Sequence, residues 1–179
     1  MSKLLHGKWA LVTGSSRGIG QQIALGLAQH GCNIVLHARE AQHCAQTLQR
    51  LAPFVDISTF VVSAVLGNQQ QESAMVDAVL ERTGQLDILY NNAAIMSPWH
   101  DRLSQFSMDE WKQLFEINLF AAVRLCDAFY PGMQHRQWGR IVNLVTGMQN
   151  TPQLTPYSAA KAALEKYTYE LAAELKSSN

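Results

Sequence analysis

The sequence predicts an α/β fold, a doubly wound parallel sheet with helices on both faces. Two observations predict it. Five short apolar runs alternate with segments of helical length, the pattern of a parallel sheet wrapped by helices. The first run also opens through a glycine-rich turn directly into a helix. The 179 residues suit one unit, 1–179, and a single domain of this size buries roughly 70% of its unfolded surface.

The first run, Trp9-Ala10-Leu11-Val12, leads into Thr13-Gly14-Ser15-Ser16-Arg17-Gly18-Ile19-Gly20 and a helix continuing through Gln21. Such a junction leaves the first helical N–H groups unpaired and outward-facing, a seat for a phosphate. Each glycine has a reason of its own: Gly14 for the sharp turn, Gly18 for close approach of a pyrophosphate, Gly20 for close packing of helix on sheet. The turn also reads as a plain connector, and its Gly-x-x-x-Gly-x-Gly spacing departs from Gly-x-Gly-x-x-Gly.

The helix ends near His30 and Gly31, and a strand follows over 33–38 with Arg39 at its tip. In dinucleotide folds a carboxylate at this tip serves a free ribose 2′-hydroxyl, whereas an arginine accommodates a 2′-phosphate. Arg39 and Arg17, converging on one phosphate, favour NADP(H) over NAD(H). In the alternative, Glu40 serves the ribose, although it reads more naturally as a first-turn acid of the next helix. That helix covers 41–51 and stops at Pro53; a third strand covers 57–62.

A helix over 69–83 is closed by Gly84, and a fourth strand over 86–90 is followed by Asn91-Asn92-Ala93-Ala94, asparagines typical of turns. The loop 95–106, with Pro98, Trp99 and His100, has no period. A long helix over 108–130 carries Trp111, Leu114, Phe115, Leu119, Ala122 and Val123 on its apolar face. Asn118 interrupts that face, either satisfying a neighbouring backbone group or doing chemistry. A fifth strand covers 140–145, ending at Thr146, and a last helix covers 157–176.

In doubly wound sheets, ligands bind beyond the carboxyl ends of the strands, where strand order reverses. The glycine turn, Asn92 and Thr146 all follow strand ends and so can share one crevice. Tyr157 and Lys161, one helical turn apart, emerge on one face with Cβ atoms roughly 5–6 Å apart. A lysine cation favours a neighbouring phenolate, and lowering a phenol by about three units requires roughly 4 kcal/mol, expected from the lysine and an oxidised nicotinamide together.

Composition excludes several classes. The 14 basic and 14 acidic residues cancel, so no long-range field draws the chain to nucleic acid or to an anionic membrane. Cys32, Cys44 and Cys126, and His6, His30, His37, His43, His100 and His135, show no metal-ligand spacing and no disulfide framework. No secretory leader and no apolar run of membrane-spanning length stands out. A soluble cytoplasmic protein is expected.

The TGxxxGIG turn, the Asn-Asn-Ala segment, Asn118 and Tyr157-x-x-x-Lys161, in that order, resemble the short-chain dehydrogenase/reductase family over about 8–176, and most resemble its 3-oxoacyl-carrier-protein reductases. The resemblance implies a Rossmann-type fold and hydride transfer between NADP(H) and a small carbonyl or secondary alcohol. It makes Tyr157 the general acid/base, Lys161 its tuner and the holder of the nicotinamide ribose, and Asn118 the holder of a relay water. Thr146 takes the place of a carbonyl-orienting serine. By the same resemblance, Gly14, Ser16, Arg17, Gly18, Ile19, Gly20, Arg39 and Asn92 would bind the cofactor together with Tyr157 and Lys161.

Set against the family pattern, Ala64 replaces an acid that holds the adenine amino group, leaving that contact to backbone. Ala94 replaces a glycine, and the loop from Thr146 to Tyr157 is short. The family's last strands and substrate lid do not follow the 157–176 helix, which would leave the fifth strand with an unpaired edge. The expectation is a partial chain. The alternatives are a shortened protein that binds cofactor without turnover and a nicotinamide-sensing scaffold. A complete fold implies a homodimer or homotetramer through the last helix, where Leu164, Tyr167, Leu171 and Leu175 read equally as core contacts.

Overall fold

The computed structural model describes residues 4–148 and 150–178. Strands β1 (Trp9–Val12), β2 (Asn33–Ala38), β3 (Thr59–Ser63), β4 (Ile88–Asn91) and β5 (Arg140–Asn143) form one sheet in the order β3-β2-β1-β4-β5. Every neighbouring pair is parallel. Strand order therefore reverses between β1 and β4, which opens a crevice at their carboxyl ends.

Side chains alternate across the strands, and the two faces build two cores. Ala10, Val12, Ile34, Leu36 and Ile88 face helices α1 (Gly18–Gln29) and α2 (Ala45–Leu51). Leu11, Val35, Phe60 and Leu89 face α3 (Gln69–Thr83), α5 (Ala121–His135) and α6 (Thr155–Glu174). The expected doubly wound sheet is the observed one.

Several boundaries differ from expectation, each for a local reason. The segment 41–51 begins as a 3₁₀ turn, Ala41–Cys44, before α2. β3 starts at Thr59, two residues late, because Phe54 and Ile57 close turns on Leu51 and Phe54. β5 ends at Asn143 because its neighbour ends at Asn91, leaving the Leu144 amide on the Asn91 carbonyl as the last rung. Within the described sheet β5 is an edge, flanked by a groove of about 350 Å³ that includes Met133, Ile141, Leu171 and Leu175.

The expected single helix over 108–130 is α4 (Met108–Phe115), then a π turn (Glu116–Phe120), then α5. Ser107 and Glu110 start α4 with reciprocal capping bonds. The wider turn takes up one extra residue where the buried amide of Asn118 leaves the apolar pattern. α6 starts at Thr155 with Pro156 in its first turn, where the missing N–H costs nothing. Leu164 and Leu171 are core residues, and Tyr167 and Leu175 pack half-buried against the core.

Candidate active site

The glycine turn between β1 and α1 is held in a shape that only part of the sequence explains. Gly14 (φ +63°) and Gly18 (φ +59°) both occupy the left-handed region, which side chains disfavour. A Cβ on Gly14 would lie 2.9 Å from the Ala93 Cα. One on Gly20 would lie 2.4 Å from the Gly14 carbonyl and 2.5 Å from the Asn92 amide. Gly20 thus lets α1 close on the turn and on Asn92, not on the sheet as expected.

Gly18 is different: a Cβ there would meet nothing within 4 Å. Arg17 precedes α1 without a side-chain cap, and the first helical turn has no acid. Among the described residues the amides of Arg17, Gly18, Ile19 and Gly20 have no hydrogen-bond partner. An uncapped helix start beside an open glycine fits a dinucleotide's diphosphate in charge and in space.

Behind the turn lies a polar brace that sequence reasoning missed. The buried Thr13 hydroxyl accepts from the amides of Asn92 and Ala93, both at 3.0 Å, and donates to the Tyr90 carbonyl. Asn92 Nδ2 donates to the carbonyls of Thr13 (2.8 Å) and Gly14 (3.1 Å). Asn92 therefore locks β4 to the turn across the crevice. From α2, the Thr47 hydroxyl donates to the Ser15 carbonyl at 2.9 Å and accepts from Gln21 Nε2, whose oxygen meets Arg50. The one sequence signal near it was His37, a polar residue inside the apolar run of β2.

The other wall of the crevice comes from β5 and α6. Asn91 Nδ2 donates to Asn143 Oδ1 at 2.8 Å, and Asn143 Nδ2 donates to the Thr168 hydroxyl at 2.9 Å, tying β4, β5 and α6 together. Lys161, 3% exposed, donates from Nζ to the Leu144 carbonyl at 2.7 Å. Burial lowers its pKa to about 8. Tyr157 is half-buried, and its hydroxyl has no hydrogen-bond partner among the described residues.

Burial raises the Tyr157 phenol. Desolvation acts on both groups, and the lysine is directed to a backbone carbonyl. Thr146 Oγ1 accepts from the Met148 amide at 3.1 Å, and among the described residues its proton has no acceptor. Asn118 bonds a neighbouring backbone, with Oδ1 accepting from the Ile95 amide and Nδ2 donating to the Ile95 carbonyl, both at 2.8 Å.

Arg17, Ile19 and Arg39 are exposed at the ends of β1 and β2, and Ser16 is half-buried between them. No contact joins the two arginines among the described residues. Ala64 is buried, and its carbonyl faces the His37 ring at 3.1 Å, so this backbone acceptor is already engaged. Among the described residues no group of three His, Cys, Asp or Glu side chains could hold a metal, and no helix is long and apolar enough to cross a membrane.

A parallel sheet with its order reversed at a glycine turn, and a Tyr-x-x-x-Lys helix beside the same crevice, defines a dinucleotide-type oxidoreductase scaffold. The sequence pattern of the short chain dehydrogenase family matches residues 8–179, and the chain belongs to that family of oxidoreductases. It is 37% identical over 178 residues to a 3-oxoacyl-[acyl-carrier-protein] reductase of Pseudomonas aeruginosa, covering 97% of this chain and 70% of the relative. It is 31% identical to a very-long-chain 3-oxoacyl-CoA reductase of Mycosarcoma maydis, covering 98% and 51%. A metagenomic short-chain oxidoreductase crystallised with NADP superimposes with a TM-score of 0.90 at 30% identity, over 98% of this chain and 78% of that one.

Proposed function

We propose that the chain binds cofactor and transfers a proton in the NADP(H)-dependent reduction of carbonyl compounds. The observation that carries this is the pairing of free amides at Arg17 to Gly20 with Tyr157 and Lys161 on the far wall of the same crevice. Bound NADPH would supply the hydride. The amides at the start of α1 would hold its diphosphate, and Arg17 and Arg39, both exposed and at strand ends, would receive a 2′-phosphate. The relative crystallised with NADP supports that preference.

Tyr157 would give its proton to the carbonyl oxygen and recover it from an alcohol in reverse. Its raised pKa suits the donor role, since the phenol stays protonated at neutral pH. Lys161 would orient the nicotinamide ribose while fixed by the Leu144 carbonyl. Thr146 would steer the carbonyl with its free hydroxyl proton, and Asn118 would hold the 95–106 loop, and a relay water, against the crevice. The protein is proposed to act in the cytoplasm as a homodimer or homotetramer on small carbonyl or alcohol substrates.

The named activities of the relatives make 3-oxoacyl thioesters the first carbonyls to test. Titration with NADPH and NADH, followed by NADPH oxidation over a panel of 3-oxoacyl thioesters, ketones and quinones, tests the reading. Tighter NADPH binding and substrate-dependent oxidation support it; no binding of either dinucleotide overturns it. A second reading, a dinucleotide-binding protein without turnover, is favoured by Lys161 being engaged at Leu144 and not lowering the phenol. It predicts binding with no oxidation.

A further inference from the structure

His37 is a buried imidazole, 2% exposed, in the middle of an otherwise apolar strand, and the reaction proposed above does not use it. Both ring nitrogens are engaged. Nδ1 accepts from the Gly14 amide at 3.1 Å, and Nε2 lies 3.1 Å from the Ala64 carbonyl, which has only an acceptor to offer. Those partners fix one form of the ring: neutral, with the proton on Nε2. The backbone repeats the clamp, since the Ser15 amide donates to the His37 carbonyl at 3.0 Å and the His37 amide donates to Ser15 Oγ at 2.9 Å.

The consequence lies in which amides this clamp consumes. The first two amides of the turn after Thr13, those of Gly14 and Ser15, point inward to His37, and the amides of Arg17 to Gly20 remain for an outside anion. We propose that His37 is a positioning residue for the cofactor diphosphate: as the acceptor for the Gly14 amide and donor to the Ala64 carbonyl, it sets the turn that presents the following amides. The ring spans the carboxyl ends of β1 and β3 and fixes the floor on which the adenosine half would rest. This rests on the dinucleotide reading of the same crevice.

Burial holds the imidazole neutral, with its pKa lowered to about 4. The charge that acts on it is Glu72 of α3, which is itself paired with Arg124. β1 and β3 bring no titratable side chain, and Cys44 in the 3₁₀ turn keeps its proton because burial raises its pKa. The ring therefore stays an acceptor towards Gly14 across neutral pH.

The test compares the wild-type chain with His37→Asn and His37→Leu. The asparagine amide oxygen can stand near the Nδ1 position and accept from Gly14; leucine keeps volume and removes the acceptor. The NADPH dissociation constant should rise roughly tenfold or more in His37→Leu, the scale of one stranded buried amide, and recover to within about threefold of wild type in His37→Asn. In the wild-type chain, nitrogen NMR of the ring should show an unprotonated Nδ1 and a protonated Nε2. A folded His37→Leu with wild-type affinity, an asparagine variant as weak as the leucine one, or a ring protonated on Nδ1 overturns the inference. If His37→Leu does not fold, the asparagine variant and the ring tautomer still decide. Failure of the wild-type chain to bind NADPH or NADH removes the dinucleotide reading itself, and this inference with it.

Discussion

Replacing Lys161 by methionine should make the cofactor-free protein more stable at neutral pH and less stable at high pH. Lys161 is 3% exposed and its pKa falls from 10.5 to about 8 on burial, a shift worth about 3 kcal/mol against the charged form. Between pH 8 and 10.5 the unfolded chain holds more protons than the folded one, so stability rises with pH through that window and the full penalty is present below it. Methionine removes the penalty but strands the Leu144 carbonyl, which costs roughly 1–2 kcal/mol. The net gain at pH 7 is about 1–2 kcal/mol, a rise in melting temperature of a few degrees for a chain of this length. At pH 11, where the wild-type lysine is neutral in both states, only the loss remains and the order reverses. Thermal melts followed by circular dichroism at both pH values read the crossing. A stability difference between the two proteins that does not change with pH would refute the reasoning.

Other outcomes follow from the same geometry. Tyr157→Phe should leave the NADPH dissociation constant unchanged and slow turnover by about 10²–10⁴-fold, the range for a lost general acid, as read by NADPH oxidation. Arg39→Asp should weaken NADPH by about 10–100-fold, the scale of a lost charge-assisted bond, and leave NADH little changed; equal effects on both would remove Arg39 from the 2′-phosphate. Gly20→Ala forces a methyl group to within 2.4 Å of the Gly14 carbonyl and should cost about 1–3 kcal/mol in denaturant unfolding. The same change should reduce dinucleotide binding, because the turn and Asn92 must part to admit it.

Much of the fold was legible because it rests on local pattern. The runs at Trp9 and Asn33 are nearly continuous apolar stretches, and glycine punctuation marked where α1 begins and α3 ends. Boundaries slipped where a neighbour decided them, as when β5 stopped with β4 at Asn91. The glycine turn was legible as a seat for an anion, but its brace was not. Thr13, Thr47 and His37 act through contacts 22 to 80 residues apart in sequence, and no spacing rule encodes such pairings. Nor did helical spacing say where the Lys161 ammonium would point. The partner it found, the Leu144 carbonyl, exists only because β5 ends where it does.

The π turn at Glu116–Phe120 makes this chain tolerant of a change in length at one place. It absorbs a single surplus residue between α4 and α5. Deleting one residue there, other than Asn118, whose amide holds the Ile95 backbone, would restore ordinary helical winding with α5 still in phase. Leu125, Cys126 and Phe129 would stay buried against the sheet. The same deletion within the first turn of α5, where no wide turn absorbs it, would rotate the rest of the helix by about 100° and turn that face outward.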